Sequence, residues 1–184
     1  MTHSNASASS LLVDNLPLLK SLRLDQELAA QGVLDLACGK GRNGLFLISH
    51  NVPVVFADNN GAALQYVAAQ LDQIGQRGEC WEVDFEADGS NPLDGKRYDA
   101  VLVFNYLHRP LMSSIQEAIR PGGLIIYETF TVQQRQFGRP TNPDFLLQPQ
   151  ELRETFSGWE ILHDFEGVVS NPERSIASLI ARRP

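Results

Sequence analysis

Apolar residues along this chain come in short runs closed by turn residues. Residues 33–37, 52–57 and 98–104 are almost unbroken apolar strings, and 124–127 continues through Glu128 and Thr129 to Phe130. Runs of this length with little alternation fit strands buried on both faces of a parallel sheet, which leave no polar face for solvent. Residues 81–85, Trp-Glu-Val-Asp-Phe, form a weaker run in the same series. The intervening segments, 42–50, 61–73 and 112–119, read as helices. In 61–73, Ala63, Leu64, Val67, Ala68 and Leu71 recur on one helical face. This alternation predicts an α/β fold, a doubly wound and mostly parallel sheet with helices on both sides. Pro121-Gly122-Gly123 is a turn into the fifth run, with proline fixing φ and glycine permitting a positive one.

The C-terminal third changes character. Residues 131–149 are rich in Gln, Arg, Pro and Asn and too polar for a buried strand. Loops this long are commonly functional, and we expect this one to fold over a substrate. Residues 150–156 read as a short helix. Residues 159–165 and 175–181 read as two closing strands in an antiparallel hairpin, which brings the sheet to seven. At the other end, residues 1–10 are Ser-, Ala- and Asn-rich and read as a flexible tail, with 11–31 as a helical lid. No repeat or linker divides the chain, so 1–184 is expected to form one domain.

Composition narrows the classes. The net charge is −7, with 15 Lys+Arg scattered among 22 Asp+Glu. Binding a polyanion needs a basic face, so nucleic acid is not an expected partner. No stretch approaches the ~20 apolar residues of a membrane span, and the N-terminus lacks the basic region of a signal peptide. Cys38 and Cys80 lie in neither a CxxC pair nor a Cys/His cluster, which excludes a zinc motif and suits a reducing, cytoplasmic setting. A monomer or loose homodimer is expected.

The chemistry concentrates at Val33-Leu34-Asp35-Leu36-Ala37-Cys38-Gly39-Lys40-Gly41-Arg42-Asn43-Gly44. A strand runs into a glycine-rich turn that opens a helix, whose free N–H groups suit a carboxylate or phosphate. Read literally, Gly39-x-Gly41-x-x-Gly44 is a dinucleotide fingerprint, and Asp58 follows about 20 residues on, where a ribose would be bound. A nicotinamide-dependent oxidoreductase is therefore one reading, and a non-catalytic module that keeps a cofactor pocket is another.

The phrase from Leu34 to Gly41 resembles the first motif of class I S-adenosylmethionine-dependent methyltransferases, because Asp35 stands at the strand end, four residues before Gly39. Further positions match in order. Asp58 resembles the acid for the ribose hydroxyls, and Asp84-Phe85 resembles the pair beside adenine. Phe104-Asn105-Tyr106 closes the fourth strand, and Arg120-Pro121-Gly122-Gly123 enters the fifth. Gly41-Arg42-Asn43 is similar to the branch containing tellurite-resistance methyltransferases. Residues 127–143 are similar to a bacterial subgroup of uncharacterised methyltransferases.

The resemblance implies a Rossmann-like fold and S-adenosylmethionine as cofactor, with S-adenosylhomocysteine as product. The implied cofactor residues are Asp35, Ala37, Cys38, Gly39, Gly41, Arg42, Asn43, Asp58, Asn59, Asp84, Phe85, Phe104 and Asn105. It implies methyl transfer to a small-molecule acceptor by in-line displacement, for which position and electrostatics matter more than a catalytic dyad. His108 is the candidate base, since histidine titrates near neutrality, and Tyr106 lies beside it. Arg109, Glu128 and Arg139 are substrate candidates, the arginines because guanidinium binds anions bidentately. No metal is expected.

Overall fold

In the computed structural model, which describes residues 7–22, 32–89 and 91–184, the apolar runs become seven strands of one sheet. They are β1 (Val33–Leu36), β2 (Val54–Asp58), β3 (Glu79–Glu82), β4 (Tyr98–Phe104), β5 (Ile119–Phe130), β6 (Glu160–Val169) and β7 (Arg174–Arg182). The helices are α1 (Ser10–Asp14), α2 (Leu16–Ser21), α3 (Arg42–Ser49), α4 (Gly61–Gln73), α5 (Met112–Ala118) and α6 (Glu151–Thr155). The order across the sheet is β3-β2-β1-β4-β5-β7-β6. Strands β1 to β5 are parallel, and β7 runs antiparallel to both β5 and β6. The expected mostly parallel sheet with a C-terminal antiparallel hairpin is the one observed.

The strands divide their residues between two cores by simple alternation. Leu34, Leu36, Val101, Val103, Ile125 and Tyr127 face one side, where α5 and α6 contribute Ile115 and Leu152. Val33, Ala100, Leu102, Leu124 and Ile126 face the other, against Leu12 of α1, Leu19 of α2, Leu47 of α3 and Val67 of α4. Both faces are covered, which is why the central runs carry so few polar residues.

Three details depart from the expected elements. Strand β3 runs Glu79–Glu82 rather than 81–85 and is mostly exposed. It is the sheet's edge, and its two glutamates blunt that edge against further pairing. The ladder continues only to Val83, whose N–H donates to Asp58 O at 3.0 Å, because β2 ends there. Phe85 instead turns inward and is buried. Strand β5 begins early, Ile119 pairing with Tyr98 before a bulge at Arg120–Gly123 resets the register to Ala100–Leu124. At the N-terminus, Ser9, expected within a loose tail, is buried. Residues 1–6 of that tail and 23–31 of the expected lid lie outside the described residues.

The bulge is fastened by a buried ion pair. Arg120 Nε donates to Asp99 Oδ1 at 2.7 Å and Nη2 donates to Leu22 O at 3.0 Å, tying the end of α2 to the sheet. Gly123 has no room for a side chain, since a Cβ would lie 2.7 Å from Asp99 O. Removing one member of a buried pair strands the other charge, so Arg120→Ala should lower stability by about 3 kcal/mol. Urea unfolding measures this, and a loss below about 1 kcal/mol, as for solvent-screened pairs, would contradict a fastening role.

Candidate functional site

In open α/β sheets, ligands bind outside the carboxyl ends of the strands where the winding reverses. Here that place is β1, flanked by β2 and β4. The chain leaves β1 through Ala37 (φ 53°), Gly39 (φ 55°) and Gly41 (φ 69°), three residues in the left-handed region, before entering α3. Only glycine tolerates that region without steric cost, so the two glycines are conformational requirements. The turn is closed by Cys38 N–H donating to Ala57 O at 3.0 Å and Gly41 N–H donating to Cys38 O at 2.9 Å.

Two carboxylates pin this loop. Asp58 Oδ2 accepts from Gly39 N–H at 2.7 Å, while its Oδ1 accepts from Asn60 N–H at 2.8 Å. Asp35 is buried and its Oδ2 accepts from Gly44 N–H at 2.9 Å. A Cβ on Gly44 would lie 2.3 Å from Phe56 Cε1, so this glycine lets α3 press onto β2. A Cβ on Gly39 would meet nothing within 4 Å. Its bare face opens outward.

A cleft of about 320 Å³ lies beside the loop. It gathers the predicted residues Ala37, Asp58, Asn59, Asp84, Phe85, Asn105 and Tyr106, together with Val83 and Glu86, which sequence reading did not single out. Asp84 Oδ1 accepts from Glu86 N–H at 2.9 Å, which shapes the turn after β3. Asn105 takes a positive φ of 56° and donates its N–H to Glu128 O at 2.9 Å, turning the chain off β4. The Tyr106 hydroxyl is buried without a well-formed hydrogen bond, and burial, followed by the Glu86 carboxylate, pushes it above the usual phenol range.

Other predicted cofactor residues lie behind the loop. Phe104 is buried in the core on the α3 face. Burial, with Asp35 and Asp58 next, pushes the Cys38 thiol well up, so it packs rather than reacts. Arg42 and Asn43 reach the N-terminal segment: Arg42 Nη1 donates to Ser7 O at 2.8 Å, and Asn43 Oδ1 accepts from Ser9 N–H at 3.0 Å.

That segment closes a second cavity of about 410 Å³, bounded by residues 7–10, Val13, Asp14, Arg42, Glu128 and Arg174. Burial raises the pKa of Glu128, while Arg174, Arg42 and a hydrogen bond from the Ser9 side chain act the other way. Ser9 and Arg174 carried no signal in the sequence, since only the return of β7 and the docking of α1 bring them here.

The remaining candidates stand apart. Arg109 is engaged within the fold: Nε and Nη2 donate to Glu151 Oε1 and Oε2 at 2.6 and 2.9 Å, and Nη1 and Nη2 donate to Asp144 O and Leu146 O at 3.0 and 2.9 Å. It clasps the 131–149 segment to α6 and leaves no free fork for an anion. Arg139 is exposed, and its carbonyl accepts from Gln134 Nε2 at 3.1 Å. His108 is half-buried, and neither it nor Arg139 lines either cavity. Among the described residues, no His/Cys/Asp/Glu cluster could hold a metal ion.

Residues 33–123 match the family model described as a methyltransferase domain. That match to a methyltransferase domain takes in about half of the chain. The fold is shared with TehB from Haemophilus influenzae, at a TM-score of 0.70 and 20% identity, covering 90% of this chain and 62% of that one. It is also similar to magnesium protoporphyrin IX methyltransferase from Synechocystis with bound S-adenosylhomocysteine, at a TM-score of 0.67 and 15% identity, covering 94% and 83% of the two chains. A curated relative, Hemagglutinin 1 of Eikenella corrodens, is 28% identical over 153 residues. That match covers 78% of this chain and 48% of that protein, so the chain spans about half the length of this relative.

The lining of the cleft suits S-adenosylmethionine, the cofactor that the resemblance implies. The open face of Gly39 offers close approach to backbone, and the Asp58 carboxylate keeps unused lone pairs for hydroxyl donors. Phe85 supplies an apolar wall.

Asp35 gives the site a pH signature. Burial raises it from 3.8 to about 7, ahead of the opposing Gly44 hydrogen bond and Arg42 and the reinforcing Asp58. The folded state then binds more protons than the unfolded chain across this interval, so stability is greatest below the unfolded value and falls as pH rises through about 7. Asp35→Asn keeps an oxygen for Gly44 N–H and cannot ionise. Its stability relative to the parent should improve from pH 5 to pH 8 in urea unfolding. A relative decline would mean that Arg42 and Gly44 outweigh burial.

Proposed function

We propose that this chain transfers the methyl group of S-adenosylmethionine to a small-molecule acceptor by in-line displacement. The observation that carries the reading is Asp58, which lines the cleft at the end of β2 and accepts from the N–H of Gly39, a glycine with open space where a side chain would stand. When bound, the cofactor supplies an electrophilic methyl group on a sulfonium. Asp58 would accept from its ribose hydroxyls and Asp84 from its adenine amine, with Phe85 against the ring. Asp35 acts through Gly44, setting the loop rather than touching the ligand.

Chemistry of this kind needs orientation and water exclusion more than a nucleophilic side chain. Tyr106 borders the cleft, so its hydroxyl can orient a reacting group there. With the phenol pKa pushed up, it stays protonated and donates. His108, two residues on, is half-buried and lies outside the cleft, so the reading assigns it no contact with the reacting group. The modest volumes of both cavities favour a small acceptor. The unpaired thiols of Cys38 and Cys80 support a reducing, cytoplasmic setting.

Calorimetric titration with S-adenosylhomocysteine, and separately with NADH, tests the reading. Wild type should bind S-adenosylhomocysteine in the micromolar range and ignore NADH. Asp58→Ala removes hydrogen bonds to a charged acceptor and should weaken binding roughly 10–100-fold. Tight NADH binding, or S-adenosylhomocysteine binding that survives Asp58→Ala unchanged, would overturn the assignment.

A further inference from the structure

The second cavity has a charge composition that restricts its occupant. Glu128 projects from β5 and is only 7% exposed. Arg174 opens β7 on the neighbouring strand, and its Nη2 lies 3.9 Å from Glu128 Oε1, an attraction too long to be a hydrogen bond. Arg174 Nε is buried and donates to nothing. An unmet buried donor costs on the order of 1–3 kcal/mol, a cost that an entering oxygen relieves. Arg42 and Asp14 complete the charged lining, so two guanidinium groups face two carboxylates and the cavity is formally neutral.

This balance discriminates between ligand classes. A compact oxyanion would satisfy Arg174 but meet Glu128 as a like charge at close range. A simple amine would satisfy Glu128 but meet Arg42 and Arg174. A molecule with an anionic group at one end and an ammonium at the other satisfies both. The cradle is built on fixed elements. Ser175, next to Arg174, donates its N–H to Gln134 Oε1 at 2.9 Å, and its hydroxyl bonds Thr131 Oγ1 at 2.6 Å. Arg42 is anchored on Ser7 O, so Arg174 is the guanidinium with a free donor. Asn105, which lines the cofactor cleft, donates its N–H to the carbonyl of Glu128, so residues bordering the two cavities meet at the carboxyl ends of β4 and β5.

Resting on the methyl-transfer reading, we propose that this cavity is the acceptor site and selects small zwitterions, Arg174 binding the anionic group and Glu128 the ammonium. The proposal assigns a substrate class and a specificity residue, Arg174, that the cofactor motifs do not reach.

The test is calorimetric titration of protein already saturated with S-adenosylhomocysteine. The probes are the common amino acids, the deaminated acid and decarboxylated amine matched to each, and selenite as a compact oxyanion. At least one amino acid should bind roughly tenfold or more tightly than its matched acid, its matched amine and selenite. Arg174→Met and Glu128→Gln should each weaken that binding by roughly tenfold or more, with S-adenosylhomocysteine titration of each variant verifying its fold. If a variant fails to fold, the selectivity of the parent protein still decides. Selenite or a plain acid binding as tightly as the best amino acid would overturn the proposal in favour of an anion site. Amino-acid binding that disappears once S-adenosylhomocysteine is present would overturn it too, because the cavity would then belong to the amino-acid end of the cofactor. Absence of binding by every amino acid would also overturn it. Failure of S-adenosylhomocysteine itself to bind would instead strike the underlying methyl-transfer reading.

Discussion

Asp35 and Asp58 hold the glycine loop from adjacent strands, and both cavities depend on that grip. Asp35 reaches Gly44 N–H in the first turn of α3, and Asp58 reaches Gly39 N–H at the loop's crest. The helix is thereby fixed on Phe56, with Gly44 leaving no space between them. Arg42 and Asn43, in the same turn, then hold Ser7 and Ser9. One pair of carboxylates thus positions the cofactor loop and, through two residues of α3, the wall of the second cavity. Burying Asp35 raises its pKa toward neutrality, yet that burial gives the loop a partner that solvent does not compete for.

Much of this frame is legible in the residue pattern, and the limits are physical. Four central strands read directly because both of their faces are buried, so their apolar runs carry no competing polar signal. Strand β3 starts two residues and ends three residues before the expected 81–85 because an edge strand needs no apolar pattern, and Phe85, which turns inward past its end, was the misleading marker. Asp35, Asp58, Asp84 and Asn105 were accessible to reasoning because each lies at or just past the carboxyl end of a strand in the same doubly wound unit. Arg109 was not, because its partners Asp144, Leu146 and Glu151 lie some forty positions on and are met only when the 131–149 segment folds back. Arg174 was invisible for a similar reason. In the sequence it is one more charge in a polar hairpin turn, and only the antiparallel return of β7 beside β5 brings it to Glu128.

Buried polar groups without partners are uncommon in folded proteins, and each asks for a cause. Tyr106 Oη borders the cofactor cleft and Arg174 Nε borders the second cavity. Both are donors at the carboxyl edge of the sheet, where the fold also leaves the face of Gly39 bare. At the opposite edge the comparable charge, Arg120, has partners for Nε, Nη1 and Nη2. Thr129 Oγ1 and Arg182 Nε are likewise buried without a hydrogen bond, Arg182 at the opposite edge with Glu160 Oε2 3.2 Å away as its ion-pair partner, so Tyr106 and Arg174 are distinguished by the cavities they border.

The separation of the two cavities follows from strand alternation. The cleft beside the glycine loop is walled by Val83, Phe85 and Tyr106, which pack on the core shared with α5 and α6. The second cavity lies against the other core, where Glu128 shares a face with Leu124 and Ile126 beneath α1. A one-residue change in the register of β5 would carry Glu128 to the wrong side of the sheet, since side chains alternate with period two. The long ladder of β5 with β7, from Leu124–Arg182 to Phe130–Ile176, prevents that slip and fixes Arg174 beyond its end. The C-terminal hairpin thus sets the chemistry of the second cavity, while the glycine loop sets that of the first. This division lets the lining of the second cavity vary through β7 and the N-terminal segment without disturbing Asp58 or Gly39.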